Sequence, residues 1–133
     1  MSHPTISQQL AARTFPPFSL SKLLGITFRP KSGARICILI DLENPEEIKD
    51  FGFLKDPRYS IQKHGYEEFY LGLKNGVLAE LDLRGGEMFA YKITGGSNLD
   101  LPDRAFTPEG KEVSLEKDVY PNYDIILCIS TYS

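Results

Sequence analysis

Residues 35–42 read RICILIDL. From Ile36 to Ile40 the run is apolar without a break, and it ends on Asp41. Such a run reads as a strand buried on both faces, as in a parallel sheet covered by helices. Working outward, Ser19 or Ser21 supplies a side-chain oxygen for the orphan amides of a short helix carrying Leu20, Leu23 and Leu24. Gly25 suits the left-handed residue that would close that helix. RPKSGAR, residues 29–35, reads as a turn into the strand. Downstream, Pro45 stands at a first helical position, with acids that the helix dipole favours. Residues 50–60 are turn-rich and are expected to be irregular.

Ser60 is the candidate cap of a longer helix. Tyr66, Phe69, Tyr70, Leu73, Val77 and Leu81 recur at spacings of three and four, the stripe of a helix packed on a sheet. Gly72 and Gly76 each cost that helix roughly 1 kcal/mol against Ala, and they allow close approach to a neighbour. Arg84-Gly85-Gly86 is expected to end it, and Glu87–Thr94 to form the second strand. A connection of roughly 25 residues follows, long enough to be functional or to carry local structure. In it TPEG, residues 107–110, is a turn between two extended pieces, and Ser114 caps one helical turn. Ile125–Ile129 is the third apolar run and reads as buried on both faces.

Strands separated by helices pair in parallel with right-handed crossovers. The expected fold class is therefore α/β: a three-layer Rossmann-like domain with a mostly parallel sheet and a small hairpin-like insertion, the simplest sheet being three-stranded. The 133 residues suffice for one domain. Residues 1–18 read as an N-terminal arm with a short helix over ISQQLAAR. Residues 19–133 read as the domain, with truncation from a longer protein left open.

Net charge is -3, which lacks the electrostatic footprint of a nucleic-acid binder and offers no polybasic patch for lipid. No stretch reaches the roughly 18 apolar residues that span a bilayer, and residues 1–15 lack the apolar core of a secretory signal. The expectation is a cytoplasmic protein. Cys37 and Cys128 lie inside apolar runs and read as reduced core thiols; a disulfide between neighbouring strands is the alternative. No spacing of Cys or His suggests zinc.

In open α/β sheets ligands sit past the C-terminal ends of the strands. Three such ends would converge here: Asp41, then Gly95, Gly96, Ser97 and Asn98, then Ser130 and Thr131. An acid, a glycine-rich turn and hydroxyls make a candidate ligand crevice. Each has a plainer reading: Asp41 as a helix cap, the glycines as turn residues with positive φ instead of an anion nest. His64 reads as a surface residue, because a general base also needs an orienting partner. The pairs Glu46-Glu47 and Glu67-Glu68 read as solvated helix charges. GxGxxG, GK[ST], GxSxG and HExxH are absent, so no catalytic set, metal ligand or cofactor is assigned.

Three stretches carry a family resemblance. LLGITFRPKSGARICILIDL resembles the helix, basic turn and strand that open the thermophilic-type metallo-aminopeptidases. FAYKITGGSNLDLPD and NYDIILCISTYS are similar to the following strands in a leucyl aminopeptidase-like branch of that group. The resemblance implies an N-terminal α/β domain, with the two-metal site carried by a later domain. On that reading the chain positions substrate or builds a dimer interface and does not hydrolyse peptides alone. Two other expectations compete: a self-contained domain that binds a small polar or anionic ligand, and a structural module that acts as an oligomer through open sheet edges.

Overall fold

A computed structural model describes residues 19–94 and 101–131. At its centre Arg35–Leu42 forms strand β1, buried at every position after Arg35. β1 pairs in parallel with β2 (Arg84–Lys92) on one side and with β5 (Ile125–Ile129) on the other. β3 (Arg104–Phe106) and β4 (Glu112–Ser114) form an antiparallel hairpin around TPEG, and β3 runs antiparallel to β2. The order is β4-β3-β2-β1-β5. The three apolar runs thus lie side by side and point the same way. The hairpin is part of the same sheet, which has five strands where three were expected.

Helix α1 spans Leu20–Thr27, with Ser19 as cap: its Oγ accepts from the Lys22 amide at 3.2 Å. Gly25 does not close it. The Phe28 amide still reaches the Leu24 carbonyl, and the left-handed residue falls at Arg29, φ 44°. A broken 3-10 segment, Pro45–Lys55, follows β1. Its cap is Asn44, which accepts from the Glu46 amide, so the region expected to be irregular from residue 50 is half helical, with left-handed Asp50 and Phe51 at the break.

The longer helix, α2, covers residues 60–80. It opens as Ser60–His64, widens into a π turn at Gly65–Tyr70, breaks at Asn75 and Gly76, where Gly76 has φ 134°, and ends with Leu78–Glu80. Ser60 is its first helical residue and not its cap; Tyr59 holds that position, without a side-chain bond. The apolar stripe packs as its spacing predicts, with Tyr66, Phe69, Tyr70, Leu73, Val77 and Leu81 all on the core. At Gly72 a Cβ would lie 2.9 Å from Leu20 Cδ2, so the glycine sets the approach of α1 to α2.

Arg84-Gly85-Gly86 does not end α2; it begins β2. The register steps from Ile36 opposite Gly85 to Cys37 opposite Glu87, so Gly86 is the extra residue of a bulge. Both glycines have positive φ, 88° and 84°. A side chain at Gly85 would meet the Ile36 carbonyl at 2.7 Å.

The strand period of two divides the core. Ile36, Ile38, Ile40 and Leu42 face α1, α2 and the 3-10 segment, together with Met88, Ala90 and Phe106. Cys37 and Leu39 face the other way with Phe89, Tyr91 and Ala105, covered by Leu115 and Val119. Those last two come from a single wide turn, Leu115–Val119, capped by Ser114 as expected. β5 is the edge of the sheet, not a strand buried on both faces. Only Ile125 in it is fully buried, and Cys128 is exposed, which corrects its assignment to the core. Among the described residues no helix is long and apolar enough to cross a membrane.

Candidate functional site

The C-terminal ends of β1, β2 and β5 do gather on one rim. Asp41 lies there beside Tyr91, its neighbour in the β1–β2 register. The Asp41 side chain is not open to solvent; the residue is 1% exposed. Its Oδ1 accepts from the Gln62 amide nitrogen at 2.7 Å and from the Thr131 backbone amide at 2.9 Å. The same Gln62 nitrogen also reaches the Asp41 carbonyl at 2.7 Å and Thr131 Oγ1 at 2.8 Å. An amide nitrogen has two hydrogens, so three acceptors share them. Gln62 is itself 1% exposed. One residue from the first turn of α2 thus joins the end of β1 to the residue that leaves β5.

A second polar group adjoins it on the face that Cys37, Leu39 and Phe89 share. Tyr91 Oη stands 3.5 Å from Cys128 Sγ, which is 3.9 Å from Ser130 Oγ. Burial, and then the neighbouring thiol, raise the Tyr91 phenol above its ordinary range. Cys37 lies deeper on this face, and burial followed by the Glu87 carboxylate pushes its thiol up to about 12. It is therefore neutral and unreactive at physiological pH.

Of the residues expected at the crevice, the rim brings Asp41, Ser130 and Thr131 together. Gly95, Gly96, Ser97 and Asn98 lie outside the described residues. Asp41 does not cap the following helical segment; Asn44 does. His64 is exposed in the first turns of α2, its ring edge-on to Phe69 at 6.0 Å. Sequence reasoning missed Gln62 and Tyr91. Gln62 continues the spacing of the α2 stripe one turn before Tyr66, but as a polar residue it was not counted in an apolar pattern. Tyr91 was legible from strand alternation, since it shares a phase with Phe89.

The opposite end of the sheet carries an open cleft of about 580 Å³. The 28–34 turn lines it with Arg29, Lys31 and Ser32, facing Asp124 and Ile125 at the start of β5. Ser32 Oγ donates to Asp82, which holds this turn against the end of α2. Among the described residues no group of three potential metal ligands occurs. Comparison of the chain with known protein families, characterised proteins and solved structures finds no match.

Proposed function

We propose that this chain is a non-catalytic platform: the N-terminal α/β domain of a cytoplasmic, aminopeptidase-like hydrolase, with a substrate-positioning or dimerisation role. In this reading it is a three-layer Rossmann-like domain with right-handed crossovers. The two-metal chemistry belongs to a domain outside this chain. The observation that supports it is the Asp41–Gln62–Thr131 junction. The groups best placed for chemistry at the strand ends are bonded to one another, and they fix the shape of the rim instead of presenting a base or nucleophile. The sequence resemblance supplies the class of enzyme.

Two measurements test this. The purified chain should release no product from aminoacyl anilides, with or without zinc, manganese or cobalt. The source reading frame should continue past Ser133 into a region rich in carboxylates and histidines. Turnover by the chain alone, or a stop codon directly after Ser133, would overturn it.

A second reading is favoured by the cleft at the opposite end. Arg29 and Lys31 there suit a small anion, and the chain would then be a self-contained binding domain. Thermal shifts with sugar phosphates, nucleotides and amino acids, lost on Arg29→Ala, would support that reading over the first.

A further inference from the structure

β5 is the last strand of the sheet, with no strand beyond it among the described residues. Its five residues are Ile125-Ile126-Leu127-Cys128-Ile129, with no charge, proline or bulge in the run. Natural edges usually carry one of those devices, because alternate backbone N–H and C=O groups of an edge strand point outward and template another strand. The β4 edge, by contrast, begins at Glu112, ion-paired to Arg104.

The β5 edge is also self-complementary. A two-fold axis through Leu127 sets Ile126 opposite the partner's Cys128 and Ile125 opposite the partner's Ile129. The first charge, Asp124, then falls opposite Ser130, so no like charges meet. Exposed apolar side chains flank the strand at both ends. Phe28, 44% exposed, shares the cleft at Ile125. Ile61, 43% exposed, lies one helical turn before Gly65, where a Cβ would sit 3.3 Å from Ile129. The same axis brings the Phe28 end of one copy to the Ile61 end of the other.

We infer that a second copy of this chain docks here, by antiparallel pairing of β5 with β5 centred on Leu127. The two sheets become one of ten strands. This rests on the dimerisation part of the role proposed above and names its partner and register.

Sedimentation velocity on the full chain, from low to high micromolar, should show a species of twice the chain mass. Cys128→Lys puts a charge into the pairing and should weaken association at least tenfold, whereas Cys128→Ser, which keeps a polar atom beside Tyr91 Oη, should leave association unchanged. Register is read separately. In the native pair the two Cys128 residues are diagonal neighbours, roughly 7–8 Å apart and beyond direct disulfide reach. Ile126→Cys places a thiol opposite the partner's Cys128, so mild oxidation should give a covalent dimer that the wild type does not form. A wild type that stays monomeric, a dimer that Cys128→Lys leaves intact, or an Ile126→Cys dimer that fails to cross-link would each overturn the proposal. Such a failure leaves the peptidase kinship standing, since the reading frame decides that independently.

Discussion

Asp41 shows how far a residue's chemistry can be read before its partners are known. Its type and place at the end of β1 pointed to a ligand crevice, and the structure gives it internal partners in Gln62 and Thr131. Cys37 and Cys128 illustrate the same limit. Both sit in apolar runs, yet only the central strand buries its thiol. A thiol-reactive dye should therefore label one cysteine of the native chain quickly and the second only on unfolding. Two or no fast thiols would contradict the assignment. Cys37 also bears on pH. Its folded pKa is raised from 9.0 to about 12, so the unfolded chain loses that proton first. Stability is then full below pH 9 and falls as pH climbs toward 12. Tyr123, pushed from 10.0 to about 12 by burial and Glu87, acts in the same direction. Denaturant titrations at pH 7.5 and 10.5 should show this loss, and Cys37→Ala should make it shallower. Gly85 is the most constrained backbone position. Positive φ and the Ile36 carbonyl both oppose a side chain, so Gly85→Ala should cost about 2–4 kcal/mol of unfolding free energy.

At the scale of elements, legibility followed the strength of the pattern. β1 and the stripe of α2 were readable because a five-residue apolar run and a spacing of three and four each fit few local structures. A serine cap was readable because a side-chain oxygen directly before an apolar helical pattern has one obvious use, but the choice of Ser19 over Ser21 was not; Ser19→Ala should lower stability by about 1 kcal/mol in chemical denaturation. Punctuation by glycine misled. Gly25 lies inside α1, and Gly85 and Gly86 open β2 where a helix end was expected. A glycine in sequence marks freedom of φ but not which element uses it. The π turn at Gly65–Tyr70 left no trace in the pattern, because it changes hydrogen-bond partners while Tyr66, Phe69 and Tyr70 stay on the core.

At the scale of the molecule, the parallel triplet β2-β1-β5 was legible from the alternation of strands with helices. The hairpin's place in the sheet was not, since nothing local to TPEG says which strand β3 will meet. Nor was it legible which of three similar runs would be the edge. That choice decides the exposure of Cys128, the cover by Leu115 and Val119, and the edge that the proposed pairing would use. The junction at the rim ties the two scales together, because one side chain of α2 closes the end of β1 onto β5. Its role is separable from a ligand's by stability. Groups retained for binding often stabilise the fold when removed, whereas groups that hold the fold destabilise it. The unfolding free energy of Gln62→Leu decides between them: the platform account predicts a loss of about 2–3 kcal/mol from the deprived carboxylate, and unchanged or increased stability would contradict it.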